Sequence, residues 1–345
     1  MEFPEVASFD ASDDESDAAR ELTRLLTELQ VATPFVVATE HGATLARAIE
    51  GPRPATPSPS VLDQAWASEM GHEAHRTGAD TIVAIGGGRV LDVAKLAAAR
   101  AGLQLVVVPT QLSHDGICSP VAVVPGDDGK SESLGAIAPR LVFVAVPTLM
   151  RAPLASALAG IGDLIANTFA LRDWALAAER GLDEIDQRAW DLSTKSFVEI
   201  EAYLAEPPAE HDATFVARLA SALVTSGTSM IVAGTSRPAS GAEHEISHAI
   251  DHELGGRALH GAQVAFGCLF SAALFDEDVA DLAGSLRRLG LPTLPENLGL
   301  SDEETIELLL KAPDTRPGRF TVLEDADLDH ASAARLVARI RDAKP

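Results

Sequence analysis

The 345-residue sequence contains few cysteines that could form disulfides, and it lacks the pattern of a secretory signal. Its two cysteines, Cys118 and Cys268, lie far apart and outside any CxxC motif, which argues against a disulfide framework and favours a reducing compartment. The acidic N-terminus lacks the basic and then apolar pattern of a signal peptide, and no apolar run reaches the ~20 residues of a membrane span. We therefore expect a cytoplasmic protein without a membrane partner.

Basic residues are also scarce. Lysine and arginine number 27 against 51 aspartates and glutamates, so the formal charge is −24. This charge repels polyphosphate and excludes nucleic acid and anionic membranes as bulk partners. An anionic small-molecule substrate would need a local positive feature, such as a metal or a helix N-terminus. Hydrophobic residues make up 46% of the chain, which indicates a globular protein long enough for two domains.

Histidines are concentrated in one segment, SGAEHEISHAIDHELGGRALHG, which covers residues 240–261. Ser240 as an N-cap and Gly255 as a stop predict a helix between them. Three histidines then follow one another at i, i+4 and i+8 on one helical face. They are His244, His248 and His252. His260 begins the next apolar segment, so it can meet a histidine of this helix at one point, and the four together favour a divalent metal site. The alternative is that they are ordinary surface or core histidines.

A second informative segment is TIVAIGGGRVLDVAK. Its short apolar run, Thr81–Ile85, predicts a buried strand that ends at Gly86, Gly87 and Gly88 and leads directly into a helix. Glycines let backbone amides approach a diphosphate closely, and the helix N-terminus adds partial positive charge. The motif is not GxGxxG, so a plain strand-to-helix turn stays open as the alternative.

The next predicted strand, LQLVVVPT, ends at Thr110 and is followed by a polar loop with Ser113, His114, Asp115 and Ser119. In open α/β sheets, ligands bind outside the carboxyl ends of the strands. The glycine turn and this loop are therefore expected at one edge of a parallel sheet. Ordinary turn chemistry is the alternative explanation of the loop.

From Thr148 onward the pattern is helical almost throughout. It predicts a nucleotide-binding domain over residues 1–147 and a helical domain that binds metal and substrate over residues 148–345. Asp163 lies among glycines and aliphatic residues in an apolar helical stretch. A carboxylate in that position is either a helix cap or a metal ligand that faces the core.

Six motifs, in this order and spacing, resemble one family. They are IGGGRVLDVAK, VPTQLSHDGICSP, GIGDLIAN followed by DW, SRPASGAEHEISHAID, LHGAQV and RPGRFTVL. The family is that of the iron-containing, metal-dependent alcohol dehydrogenases, which share a fold with dehydroquinate synthase, and within it the sn-glycerol-1-phosphate dehydrogenases. The resemblance implies an α/β, Rossmann-like N-terminal domain and an all-α C-terminal domain.

The resemblance also implies a role for individual residues. Asp163, His244 and His260 would hold one divalent metal, with zinc first and iron or nickel as alternatives, because two histidines and a carboxylate discriminate weakly. Asp115 and His248 would contact the substrate. NAD or NADP would bind at Gly86, Gly87, Gly88, Asp92, Thr110, Ser113 and Ser119. The implied reaction interconverts dihydroxyacetone phosphate and sn-glycerol 1-phosphate by hydride transfer, in a homo-oligomer.

The sequence departs from the family pattern in three places. Its N-terminus predicts an acidic helical segment where the family has an additional strand. Ala262, near His260, replaces a commoner glutamate, and only Arg237 and Arg316 are candidates for a phosphate contact. A dehydrogenase for another polyol or phosphoketone therefore stays open. A dehydroquinate synthase-like cyclase is less favoured, since SHDGICSP and Asp163 replace its lysine-bearing motif and its glutamate ligand.

Overall fold

The computed structural model describes residues 4–9, 14–54, 62–126 and 131–343. The chain forms two compact units, of which the first comprises Met1–Ala157 and Glu210–Ile231. The second comprises Leu158–Ala209 and Val232–Pro345. This interleaved division differs from the single boundary after residue 147 that the sequence predicted. It arises because a helical segment far along the chain packs within the first unit: a Cβ on Gly227 would lie 2.9 Å from the Ser119 nitrogen.

The first unit is built on a five-stranded parallel sheet in the order β1-β7-β4-β3-β2. An antiparallel pair, β5 and β6, accompanies it. The described strands are β1 (Glu5–Phe9), β2 (Pro34–Ala38), β3 (Thr81–Gly86), β4 (Gln104–Pro109), β5 (Val121–Pro125), β6 (Ser131–Gly135) and β7 (Leu141–Ala145). Strands β3 and β7 are buried along their whole length, which explains their unbroken apolar sequences.

Helices make up most of the remaining described residues. They are α1 (Glu15–Glu28), α2 (Ala43–Arg47), α3 (Gln64–Arg76), α4 (Gly88–Ala101), α5 (Val146–Leu149), α6 (Leu154–Glu179), α7 (Gln187–Val198), α8 (Ala202–Ala205), α9 (Ala213–Ala233), α10 (Ala242–Leu254), α11 (His260–Leu274), α12 (Val279–Arg288), α13 (Asp302–Lys311), α14 (Val322–Ala326) and α15 (His330–Asp342). Within the described part of the second unit, regular structure is helical throughout, as the sequence predicted.

The carboxyl ends of two neighbouring strands carry the glycine turn and the polar loop. Strand β3 pairs with β4 up to Gly86 opposite Pro109, and the Thr110 N–H donates to the Gly86 carbonyl at 2.9 Å. Helix α4 begins at Gly88, directly after the turn. The structure therefore brings the two segments to one edge of the sheet, as expected for an open α/β sheet.

The N-terminus differs from the sequence expectation. An edge strand, β1, runs parallel to β7 with Glu5 opposite Leu141, so the additional strand is present. The acidic helix is also present, but it begins only at Glu15, after Asp14 accepts a hydrogen bond from the Ser16 N–H at 2.7 Å. A strand this short is stabilised by pairing with a distant segment, and the local sequence does not reveal that pairing.

Two helices, α6 and α9, are long and apolar enough to cross a membrane by length and composition. The most hydropathic window of α6 is 78% buried and that of α9 is 67% buried inside the structure. The charged residues Asp163 and Arg218 interrupt the apolar sequence of these helices. For this reason the sequence shows no uninterrupted apolar run as long as a membrane span. Buried core helices of soluble proteins pass the same test, so the two give only weak evidence for a membrane.

Candidate active site

Three helices of the second unit bring a carboxylate and two imidazoles together. Asp163 lies on α6, His244 on α10 and His260 on α11. The Asp163 Oδ1 atom is 3.7 Å from His244 Nε2 and 3.8 Å from His260 Nε2. One ligand atom from each of the three residues lies within 4.8 Å of the others. We call these three residues the histidine cluster.

A glycine beside Asp163 allows the close approach of two helices. A Cβ on Gly162 would lie 2.5 Å from the Gly261 carbonyl oxygen and 3.0 Å from Ala265 Cβ. Only glycine therefore lets α6 lie this close to the first turn of α11. That contact places Asp163 beside His260.

The histidine cluster has the donors and the spacing that a divalent metal needs. Zinc binds histidine nitrogens and carboxylate oxygens at about 2.0–2.2 Å, so tetrahedral neighbours lie roughly 3.4 Å apart. The observed 3.7 and 3.8 Å separations need only a small contraction to match this spacing. One carboxylate and two imidazoles make three protein ligands, the number typical of catalytic zinc sites.

A buried glutamate orients His244. The Glu243 Oε1 atom lies 2.9 Å from His244 Nδ1 and also accepts from the Gly241 N–H at 2.6 Å. Because this oxygen is an acceptor, we assign the proton of the neutral ring to Nδ1, which leaves the Nε2 lone pair facing Asp163. Burial raises the pKa of Glu243 to about 7. Sequence reasoning missed Glu243, although its position directly before the first histidine was a usable signal.

The two helical histidines of this site are held neutral. Burial, and then the positive charge of Arg316, lowers the pKa of both His244 and His248 well below the ordinary value. Metal coordination requires neutral imidazole, so this environment suits the cluster. The ring centroid of His248 lies 6.3 Å from those of His244 and His260, which places it beside the cluster but not within it.

In the first unit, two polar side chains cover the glycine turn. A Cβ on Gly87 would lie 2.6 Å from Gln111 Nε2, and one on Gly88 would collide with His114 Nε2. The His114 ring is fixed in turn, since its Nδ1 accepts from the Gly116 N–H at 3.0 Å. That bond puts the ring proton on Nε2, above the first residue of α4. These two glycines are therefore required by the loop packed on them.

A buried lysine holds the polar loop in place. Lys95 has no exposed surface and forms an ion pair with Asp92 Oδ1 at 2.7 Å. Its Nζ also donates to the backbone carbonyls of Gly116, at 2.8 Å, and Val121. Asp92, predicted to belong to the diphosphate loop, is thus tied to this lysine. Sequence reasoning missed Lys95, although a lysine on an otherwise buried helix face was a signal.

Asp115 lies in the loop that Lys95 holds. Its Oδ2 accepts from the Ser226 hydroxyl at 2.8 Å, and its backbone carbonyl accepts from the Ser119 N–H at 3.1 Å. Burial raises the pKa of Asp115 to about 6, although Ser226 and the charge of Lys95 oppose this rise. Ser113 and Ser119 are buried in the same loop, and Thr110 is partly exposed.

Comparison with known proteins then decides the family. The pattern described as iron-containing alcohol dehydrogenase matches residues 15–153. The glycerol-1-phosphate dehydrogenase (NAD(P)+) of Methanocorpusculum labreanum is 32% identical over 330 residues, which cover 94% of this chain and 91% of the relative. This chain belongs to the glycerol-1-phosphate dehydrogenase family. The family member from Cenarchaeum symbiosum is 40% identical over 257 residues, covering 74% of this chain and 71% of the relative.

The fold agrees with this assignment to the glycerol-1-phosphate dehydrogenase family. A probable glycerol dehydrogenase from Sinorhizobium meliloti 1021 has a TM-score of 0.80 at 20% identity, over 99% of this chain and 98% of that one. A glycerol dehydrogenase from Schizosaccharomyces pombe has a TM-score of 0.73 at 18% identity, over 99% and 91%. The predicted family and the predicted dehydroquinate synthase-like fold class are therefore confirmed.

Proposed function

We propose that this chain interconverts dihydroxyacetone phosphate and sn-glycerol 1-phosphate, with hydride transfer to or from NAD or NADP. The observation that carries the proposal is the convergence of Asp163, His244 and His260 in a chain of this family. The relatives bear the name glycerol-1-phosphate dehydrogenase (NAD(P)+), which supports the choice of substrate and cofactor.

In this proposal the histidine cluster holds one divalent metal, with zinc first and iron or nickel as alternatives. When bound, the ion would polarise the ketone oxygen and stabilise negative charge on it. Glu243 keeps the His244 ring in one orientation, so that Nε2 stays aimed at the ion site. The neutral state of His244 leaves that nitrogen available as a ligand.

His248 and Asp115 are proposed as substrate contacts. The pKa of His248 is held low, chiefly by burial, so at neutral pH the ring can offer one N–H donor and one acceptor to a hydroxyl or ketone. The pKa of Asp115 is raised to about 6 by burial, so this carboxyl is largely ionised at neutral pH and accepts hydrogen bonds. Ser226 and the loop backbone keep Asp115 in position.

The cofactor is proposed to bind at the glycine turn of the first unit. The N-terminus of α4 supplies N–H groups and partial positive charge to a diphosphate. No side chain projects from the turn at this end of the helix, because it consists of Gly86, Gly87 and Gly88. The neighbouring strand, β4, is followed by the other proposed contacts, Thr110, Ser113 and Ser119. Asp92 supports the site through Lys95.

The test is oxidation of NADH and of NADPH by zinc-reconstituted protein, with dihydroxyacetone phosphate and with dihydroxyacetone in parallel. We expect turnover with the phosphate ester, and the better nicotinamide identifies the cofactor. Turnover with neither ketone, from protein that binds zinc and NAD(P)H, would overturn the proposed substrate.

A homo-oligomer in the cytoplasm, with one metal ion per chain, completes the proposal. Metal analysis of protein purified without added metal, together with light scattering of the same sample, tests two of these points. We expect a stoichiometry of about one ion per chain, as for a mononuclear catalytic site. A monomer by light scattering would remove the oligomer from the proposal.

A further inference from the structure

Two arginines after α13 clamp the segment that leads into α10. Arg316 Nη1 donates to the hydroxyls of Ser240, at 2.7 Å, and Ser236, at 3.2 Å. Arg319 donates to the Ser240 carbonyl at 2.6 Å and to the Ser236 hydroxyl at 2.8 Å. Ser240 thus receives hydrogen bonds from both arginines, and Gly241 takes the N-cap position that the sequence predicted for Ser240.

These two guanidinium groups lack a carboxylate partner within ion-pair distance in the part of the chain that the structure describes. The carboxylates nearby bond elsewhere, since Glu243 holds Gly241 and His244, and Glu245 accepts from the Thr321 hydroxyl at 2.9 Å. The charges of Glu243 and Glu245 act on both arginines only from beyond ion-pair distance. Two cations close together without a carboxylate in contact are costly, so the pair is suited to receive an external anion.

Arg237, the other arginine considered from the sequence, is engaged differently. It is buried, forms an ion pair with Asp183 at 2.7 Å and donates to the Phe320 carbonyl at 2.6 Å. Its guanidinium is therefore committed to the fold. This leaves Arg316 and Arg319 as the cations of this region that can take an anion.

Arg316 also lies close to the histidine cluster. The turn before it, Ala312–Thr315, packs on α10, where the Thr315 hydroxyl lies 3.5 Å from the Glu245 carbonyl. Arg316 also donates to Ser240, which directly precedes the N-cap of α10, and His244 lies in the first turn of that helix. A substrate atom held at the cluster therefore has a guanidinium within electrostatic reach.

We propose that Arg316, supported by Arg319, binds the phosphate group of the substrate and sets the preference for a phosphorylated ketone. Arg316 bonds the serines through Nη1 alone, and its Nε and Nη2 make no hydrogen bond to any residue that the structure describes. Those two nitrogens form the fork of a guanidinium that pairs with two phosphate oxygens. This inference rests on the proposed function, and it supplies the local positive feature that a chain of charge −24 needs.

The test compares Arg316→Gln and Arg316→Lys with Arg180→Gln. The control removes one exposed arginine of the same unit, paired with Asp325, so the change in net charge is identical. For Arg316→Gln we expect the KM for dihydroxyacetone phosphate to rise roughly 10- to 100-fold, the range for a lost charged hydrogen bond. Turnover of dihydroxyacetone should stay close to that of the parent. Arg316→Lys, which keeps the charge without the fork, should give an intermediate KM.

A second measurement does not depend on turnover. Inorganic phosphate is titrated against zinc-loaded protein without cofactor, and the melting temperature is recorded. We expect phosphate to raise the melting temperature of the parent and of Arg180→Gln but not of Arg316→Gln. If Arg316→Gln does not fold, the same comparison with Arg316→Lys shows whether the response to phosphate is reduced.

The outcomes separate the two proposals. An equal loss of activity with both ketones, or a phosphate response unchanged in Arg316→Gln, would show that Arg316 only clamps the two serines. If the parent reduces neither ketone, the proposed function fails, while a phosphate response that depends on Arg316 still supports the anion site. Absence of any response to phosphate in the parent overturns the inference.

Discussion

The glycine turn and the histidine cluster build a candidate site in opposite ways. At the turn, consecutive residues at a strand end provide backbone groups, and Gly87 and Gly88 serve by having no side chain. In the cluster, Asp163 and His260 come from segments far apart in the sequence and contribute side-chain atoms. The glycine turn therefore depends on the space around consecutive residues, and the histidine cluster depends on residues that meet from distant segments. We expect substitutions at the turn to weaken cofactor binding and substitutions in the cluster to weaken metal binding.

The largest effect is expected for His260→Ala. Loss of one of three proposed ligands should abolish stoichiometric zinc and lower kcat/KM by about a thousandfold or more, since a catalytic metal contributes several kcal/mol. NAD(P)H binding should change little, because the glycine turn is untouched. Metal analysis and steady-state kinetics check this, with the exposed His72→Ala as the control. Full zinc content together with full activity would remove His260 from the cluster.

A smaller effect is expected for Glu243→Gln, which keeps the shape of the side chain but removes the carboxylate behind His244. Zinc affinity should fall about 10- to 100-fold, the usual cost of losing a partner that orients a histidine ligand. Competition with a chromophoric chelator measures the affinity. Glu184→Gln, in the same unit but outside the cluster, serves as the control. An unchanged zinc affinity would mean that packing alone holds the ring.

At the turn, Gly88→Ala should leave zinc content intact and weaken cofactor binding. The added methyl collides with the His114 ring, and overpacking of this kind costs about 1–3 kcal/mol. Thermal melting and fluorescence titration with NADH check both effects. Gly135→Ala is the matched control, since a Cβ there meets nothing within 4 Å. If cofactor affinity does not change, His114 yields easily and the turn is not tightly packed.

The smallest effect is expected for Asp115→Asn, and it concerns pH. Burial raises the folded-state pKa of Asp115 from 3.8 to about 6, so the folded form loses stability as pH rises through that interval and stays penalised above it. The amide introduced by this substitution cannot ionise, so it should remove this penalty and raise the free energy of unfolding at neutral pH by about 1–2 kcal/mol. This is less than the whole pKa shift would give, because the side chain is partly exposed. Urea unfolding at several pH values measures it. Destabilisation at neutral pH would show that the hydrogen bond from Ser226 outweighs burial.

The sequence predicted local features well. The helix predicted between Ser240 and Gly255 is present as α10, and Gly255 marks its end with a left-handed φ of 73°. The strand before Gly86 was equally clear, because a short, mostly β-branched run suits a strand buried on both faces. These elements are determined by residues close together in the chain.

Features that depend on distant partners could not be predicted. Strand β1 exists through pairing with β7, and Ser240 is not the N-cap because Arg316 and Arg319 occupy its oxygens. The position of Lys95 on a buried helix face was a usable signal, but the carbonyls that it binds could not be predicted. In each case the deciding partner lies many residues away, so no local pattern contains it.

The lysine beneath the polar loop has a consequence for how this enzyme can change. Lys95 donates to the backbone carbonyls of Gly116 and Val121, so part of the course of the loop is fixed through atoms that every residue possesses. Loop side chains outside the cofactor site can then be exchanged while the main chain keeps its path. Mutations in the loop therefore change its side chains and leave its backbone path unchanged. A library of loop variants that retain Lys95 offers a route to new ketone substrates.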